Sequence, residues 1–162
     1  MNNQKGFNLI ELIIVVIIVG IISYLAVVRF GDSSESLQYE SIIKKLASDV
    51  RYAQQLAQTE GLGTQVHIDQ FNNRYYLKWS DGQFIKNPVG GGDFIIQLGV
   101  KDFSKVQITA TGFNGGRLDF DKSGRPLNAG VPFSGILTLV VFNNRKKIEI
   151  TGETGLIKIK DF

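Results

Sequence analysis

The carboxylate of Glu11 is the only charge between Phe7 and Val28, in a stretch that is otherwise almost entirely apolar. A charge at the centre of a membrane helix costs about 2.5 to 3.5 kcal/mol, and less near an end, where it reaches the interface. Phe7 lies four residues earlier on the same helix face, so an α-amino group at Phe7, from this chain or a neighbouring one, would pair with Glu11. A glutamate tolerated at the bilayer interface is the alternative. We favour the paired carboxylate, because apolar residues lie on both sides of Glu11.

The other residue types that carry chemistry do not form a catalytic or metal-binding pattern. The sequence has no cysteine, which excludes disulfides, thiolate zinc sites and a thiol nucleophile. His67 is the sole histidine and has no second ligand or nucleophile beside it, so we expect a structural role. Residues 119–124 match the first half of an EF-hand loop, but Gly130 stands where the bidentate glutamate belongs, which predicts a hairpin turn instead. We therefore expect no enzyme, no metal and no cofactor.

Arg145, Lys146 and Lys147 form a basic cluster after a predicted hairpin turn, with Lys158 and Lys160 nearby in sequence. Such a cluster can hold phosphates, so nucleic-acid binding is one interpretation. The net charge of +3 does not require a nucleic-acid partner. A solvated surface is the other interpretation, and it is the one we favour.

The apolar run itself predicts a membrane-spanning helix from Phe7 to Val28. A helix of these 22 residues extends about 33 Å, enough for the apolar core of a bilayer. The run is too long for a secretory signal peptide, and no small-residue cleavage site follows it. Basic residues lie on both flanks, so charge counting does not determine the topology.

A second helical pattern follows the polar residues 31–35. Asp32 and Glu35 have the spacing of a capping box, which indicates a hinge or a helix restart. Beyond them, apolar residues recur at three- and four-residue steps, which predicts an amphipathic helix whose apolar face covers a sheet of the same chain. These residues are Tyr39, Ile42, Ile43, Leu46, Val50, Ala53 and Ala57.

After residue 60 the composition changes to turns and strands. No alternation of strands with helices appears there, which argues against a parallel nucleotide-binding fold. The fold class is therefore α+β, with a long N-terminal helix packed on an antiparallel β-sheet or small β-sandwich head. The predicted strands are 64–68, 74–79, 94–100, 106–113, 117–120, 135–142, 147–151 and 156–159.

The segment Lys5-Gly6-Phe7-Asn8-Leu9-Ile10-Glu11-Leu12 resembles the class III signal of type IV prepilins and pseudopilins. The resemblance implies that a prepilin peptidase cleaves after Gly6 on the cytoplasmic side and methylates the new N-terminal Phe7. It also implies that Glu11, the fifth mature residue, pairs with the N-terminal amine of an adjacent subunit. Val28 stands where many pilins carry proline, so this helix keeps its backbone donor there.

Residues 46–57 leading into 65–68, and residues 120–125 before 136–142, are similar to minor pseudopilins of the GspH and FimT type. This resemblance implies a helix wrapped by two antiparallel sheets and a role near the tip of a type II secretion pseudopilus or type IV pilus. The expected partners are other pilin subunits, the peptidase and methyltransferase, the inner-membrane assembly platform and membrane lipid. The expected location is the bacterial inner membrane, with the head in the periplasm or outside the cell. The expected segments are a leader at 1–6, a filament-core helix at 7–30, an amphipathic helix at 31–60 and a β head at 61–162.

Two alternatives stay open within this family. The first alternative is that the chain is the abundant shaft subunit and not a minor subunit. Its copy number in purified filaments would distinguish these two roles. A DNA-binding tip protein is the other alternative, but the Gly-Arg-x-Arg motif of DNA-binding relatives is replaced here by Gly155-Leu156-Ile157-Lys158. The family implies assembly rather than catalysis.

Overall fold

The computed structural model describes residues 9–99, 108–141 and 146–161, without the side chains of residues 25–36, 38, 111, 140 and 141. The chain divides into two compact units, Met1–Leu37 and Gln38–Phe162. Helix α1, Leu9–Glu60, contributes to both units. Within the described residues, no helix has an apolar stretch long enough to cross a membrane. The predicted span, residues 7–28, begins outside the described part of the chain.

Helix α1 continues without interruption through residues 31–35, where the sequence indicated a hinge or a helix restart. Asp32 and Glu35 therefore lie within a helix and do not begin a new one. The helix ends at Glu60 because Gly61 follows in the left-handed region, with φ of 66°. A glycine just beyond the last helical residue adopts this conformation without a steric cost, which terminates the helix.

The head unit contains two antiparallel sheets, as the resemblance implied. One sheet has six strands in the order β3-β2-β1-β5-β6-β7, and the other has four in the order β10-β9-β8-β4. The strands are β1 Thr64–Asp69, β2 Arg74–Trp79, β3 Ile95–Gln97, β4 Ile108–Thr111, β5 Arg117–Phe120, β6 Pro126–Asn128, β7 Val131–Pro132, β8 Ile136–Val141, β9 Lys146–Thr151 and β10 Ile157–Asp161.

Each of the eight predicted runs overlaps a strand, and β2 and β5 have the predicted bounds. Strands β6 and β7 were not predicted, because Pro126 and Pro132 reduce the strand signal of two very short segments. Pro132 is tolerated because β7 is the edge of the six-stranded sheet among the described strands, and Pro126 because it is the first residue of β6. Parts of three predicted runs, at 100, 106–107 and 142, lie outside the described residues.

One face of α1 and the inner faces of both sheets form the core. The predicted helical stripe is confirmed, since Ile42, Leu46 and Val50 are fully buried and Tyr39 is partly buried. Alternation along the strands places Val66 and Leu77 of the six-stranded sheet in the same core cluster as Leu139 of the four-stranded sheet. The remaining fully buried residues of the cluster are Ile43, Ala47, Ala53, Ala57, Tyr75, Leu98, Leu118, Phe120, Ile148 and Ile150.

Polar side chains of α1 bond to the loops and strands around it. Gln54 Nε2 donates to the carbonyls of Gly124 and Gly155, at 2.9 and 3.2 Å. Thr64 Oγ1, at the start of β1, donates to the Ala53 carbonyl at 2.9 Å. These bonds satisfy backbone carbonyls next to the apolar core and fix the helix against both sheets.

Candidate assembly site

The N-terminal part of α1 exposes apolar side chains around its whole circumference. From Leu9 to Tyr24 every large hydrophobic side chain is exposed, with fractions from 47% at Val15 to 75% at Leu9. A helix that is apolar on all sides is stable only when lipid or other helices cover it. We call Leu9–Tyr24 the apolar segment, and its surface is unlike that of the second half of α1, which has one buried face.

Glu11 is the only charged residue of the apolar segment and lies in the first turn of the described helix. Its side chain is exposed, and within the described residues its carboxylate has no ion-pair partner. A carboxylate near a helix N-terminus is stabilised by the helix dipole, by about 0.3 to 1 kcal/mol. That gain does not offset the cost of placing an unpaired charge among hydrocarbon groups, so Glu11 is suited to a cationic partner supplied from outside the described residues.

The predicted processing residues, Gly6 and Phe7, lie outside the described residues. Their assignment stays a prediction, as does the pairing of Glu11 with an N-terminal amine. What the structure adds is the surface that such a pairing would use, an exposed carboxylate flanked by exposed apolar side chains.

The predicted basic cluster is engaged in ion pairs where the structure describes it. Lys146 Nζ lies 3.6 Å from Glu40 Oε1 and 3.9 Å from Asp161 Oδ1. Lys147 Nζ lies 3.0 Å from Glu149 Oε1. Arg145 is outside the described residues. These ion pairs neutralise the lysine charges that would otherwise bind a phosphate backbone. They therefore favour the solvated-surface interpretation over nucleic-acid binding.

His67 lies on the outward side of β1, and its ring stacks on the neighbouring strand's Tyr76 with centroids 4.8 Å apart and planes at 9°. Its Nε2 lies 3.0 Å from Gln65 Oε1. Burial, followed by the charges of Lys78 and Arg117, lowers the pKa of His67 to about 4. The ring is therefore neutral near pH 7 and acts as a packing group, as the sequence predicted.

The predicted hairpin turn is present: residues 121–125 connect β5 to β6, while residues 119–120 belong to β5. Asp121 Oδ1 accepts from the backbone N–H groups of Ser123 and Arg125, at 2.8 and 2.9 Å. Asp119 is directed to Arg117 instead, with Oδ1 and Nε 2.9 Å apart. The two carboxylates thus serve separate local contacts, and no group of metal-ligating side chains occurs among the described residues.

Four polar residues of the described chain are buried, Asp49, Thr64, Asp119 and Glu149, and the sequence predicted the burial of none of them; the two aspartates have different surroundings. Asp49, only 9% exposed, lies beside the apolar stripe of α1 and accepts a bond from Lys45 four residues earlier. Asp119 is also buried, and burial raises its pKa more than Arg117 lowers it. The four-residue spacing of Lys45 and Asp49 was a usable signal for the first group. Nothing local marked the burial of the second.

Residues 1–23 match the prokaryotic N-terminal methylation motif. No curated protein matches the chain. Among solved structures, the chain is similar to the minor pseudopilin EpsH from the Type 2 Secretion System of Vibrio cholerae, with a TM-score of 0.54 and 15% identity over 76% of this chain and 97% of that chain. At this identity the likeness establishes the fold. Together with the methylation motif, it confirms the resemblance to the type IV pilin and pseudopilin family.

Proposed function

We propose that this pilin-like chain is a minor pseudopilin or minor pilin that assembles through the apolar segment of α1, at or near the tip of its filament. The observation that carries the proposal is a single exposed carboxylate, Glu11, in a helix segment whose other large side chains are exposed and apolar. Before assembly, lipid covers this segment and holds the chain in the inner membrane. After assembly, the helices of neighbouring subunits cover it.

Glu11 favours the assembled state because its charge is unpaired in the bilayer and paired in the filament. In the bilayer an unpaired carboxylate costs free energy, about 2.5 to 3.5 kcal/mol at the centre and less near an end. In the filament the amine of a neighbour's Phe7 pairs with it, once the leader has been removed after Gly6. Removing one partner of a buried ion pair costs about 3 to 5 kcal/mol, so the pair fixes the register of adjacent subunits.

The processing enzyme, the inner-membrane assembly platform and the other filament subunits are the partners this role requires. The tip position is proposed on the resemblance of residues 46–57 and 120–125 to minor pseudopilins. DNA is not proposed as a ligand of the basic cluster, because Lys146 and Lys147 are already paired with carboxylates. The role is structural, with no catalytic step assigned to the chain.

The test replaces Glu11 with glutamine in the full-length protein and measures its amount in sheared filaments relative to its amount in membranes. We expect normal cleavage and membrane insertion, with incorporation into filaments reduced at least about tenfold, the factor that corresponds to 1.4 kcal/mol. Glu11→Asp should restore part of the loss because the charge is kept. Glu153→Gln, in an exposed turn of the head, is the matched control and should assemble normally. Normal incorporation of Glu11→Gln would refute the proposal.

A further inference from the structure

The four-stranded sheet has a free edge along β10, since within the described residues β10 pairs only with β9. Along this strand the backbone N–H and C=O groups of successive residues point alternately toward β9 and away from it. The Leu156 carbonyl accepts from Thr151 N–H at 3.1 Å and so faces β9. The next carbonyl, that of Ile157, accepts from Arg51 Nη2 at 2.9 Å and so faces away from β9. The backbone groups of Ile159 therefore face outward as well, and they form the centre of the free edge.

The outer face of the same sheet has more positive than negative charge. Among the described residues of its strands, Lys147, Lys158 and Lys160 share this face with one carboxylate, that of Glu149. Glu149 Oε1 lies 3.0 Å from Lys147 and its Oε2 lies 2.7 Å from Lys160, which lowers the pKa of Glu149, chiefly through Lys160. Both carboxylate oxygens are thus engaged. Lys158 is exposed and has no ion-pair partner within the described residues.

A free edge and a positive face next to each other fit one kind of ligand. We propose that the edge of β10 binds an extended acidic segment of a partner protein, which adds a fifth strand to the four-stranded sheet. The backbone of that segment pairs with Ile159, and its outward side chains are carboxylates. Cross-strand neighbours lie about 4.5 to 5.5 Å apart, so those carboxylates reach Lys158 and Lys160.

The charge pattern argues against two other occupants. A second copy of β10 would place lysines beside lysines, and like charges directly opposite each other destabilise a strand pair. Edge lysines commonly serve to prevent such self-pairing. A nucleic acid would satisfy the lysines, but its phosphates are only acceptors, so they leave the outward C=O group of Ile159 without a donor. An acidic polypeptide satisfies both the charges and the backbone.

The experiment uses the full chain in detergent micelles and a short, dye-labelled peptide in which threonine and glutamate alternate. We expect binding by fluorescence anisotropy, weakened roughly fivefold in Lys158→Gln/Lys160→Gln, since two charge pairs are lost. Lys86→Gln/Lys122→Gln has the same change in net charge away from β10 and should bind normally. The same peptide N-methylated at alternate residues keeps its charges but loses strand hydrogen bonds, and should bind at least about fivefold more weakly.

Three results would overturn the proposal. The first is no binding of the acidic peptide. The second is equal affinity of the N-methylated peptide, which would reduce the contact to charge alone. The third is binding of an oligonucleotide more tightly than the acidic peptide, lost in the Lys158→Gln/Lys160→Gln variant, which would assign the face to nucleic acid. Because only binding is measured, the outcome is independent of filament assembly through Glu11.

Discussion

The phenol of Tyr75 donates a 2.6 Å hydrogen bond to Asp49 Oδ2, and so links strand β2 to helix α1 inside the core. Lys45 Nζ donates to the same oxygen at 2.9 Å from the previous turn of the helix. Burial, followed by the Asp49 carboxylate, raises the pKa of Tyr75, so the phenol stays protonated as a donor. This bond fixes the amphipathic half of α1 against the six-stranded sheet.

Replacing Tyr75 by phenylalanine should destabilise the head by about 1.5 to 3 kcal/mol, because Asp49 would lose one of two donors in a buried position. The measurement is urea unfolding of the full chain in micelles, followed by the fluorescence of Trp79, the only tryptophan. Tyr76→Phe is the matched control on the outward side of the same strand, where we expect a change within about 0.5 kcal/mol. Equal stability of the two variants would show that the buried bond is not stabilising.

The free energy of unfolding should decrease as the pH drops from 6.5 to about 4. The upper limit is the ordinary pKa of histidine, and the lower limit is the pKa of His67 in the folded chain. Burial, followed by Lys78 and Arg117, makes the folded chain bind fewer protons than the unfolded chain in this window. The contribution of His67 to stability is therefore fully present above its pKa in the unfolded chain. It is lost as the pH falls toward its pKa in the folded chain. The ring is only half buried, so solvent screening reduces the effect to about 1 to 2 kcal/mol.

His67→Phe keeps an aromatic ring against Tyr76 but cannot titrate. Unfolding free energies of the variant and the wild type, measured from pH 4 to pH 7, should move apart toward the acid end, because only the wild type loses stability there through protonation of His67 in the unfolded chain. Carboxylates such as Asp119 contribute equally to both proteins, so the difference isolates His67. A difference that does not change with pH would contradict the lowered pKa.

Gly152 should not tolerate a side chain. A Cβ at this position would overlap the carbonyl oxygen and the ring of Phe133. Gly152→Ala should cost about 2 to 3 kcal/mol in urea unfolding, since either backbone or ring must move. Gly90→Ala, whose Cβ would meet only the end of the Asn87 side chain at 3.9 Å, is the control and should change stability by less than about 0.5 kcal/mol. A tolerated Gly152→Ala would show that this turn is adaptable.

The membrane form of the protein should begin at methylated Phe7, with residues 1–6 removed. Mass spectrometry of the intact chain measures this directly, in cells with and without an active prepilin peptidase. Gly6→Val should leave the leader attached, because a bulky residue replaces the small residue before the cleaved bond. Ser23→Ala, farther along the helix, is the control and should be processed normally. An intact Met1 form alongside an active peptidase would contradict the processing hypothesis.

The sequence alone determined the features that depend on local spacing. The apolar stripe from Tyr39 to Ala57 identified the buried face of α1, and short β-rich runs between turn signals located β2 and β5 with their observed bounds. The isolated charge of Glu11 and the residues before it identified the family motif, which matches residues 1–23. These signals are local because side-chain periodicity is a property of one helix or strand.

Only the tertiary structure decided how these elements meet. Strand β1 pairs with β5 across some fifty intervening residues, and nothing in either strand specifies that partner. Asp49 is buried because Tyr75 of a distant strand satisfies it, and the lysines of β9 and β10 divide into paired and unpaired groups according to their register with Glu149. Strand pairing, burial of a polar group and ion pairing each depend on residues far away in the chain, which a local pattern does not encode.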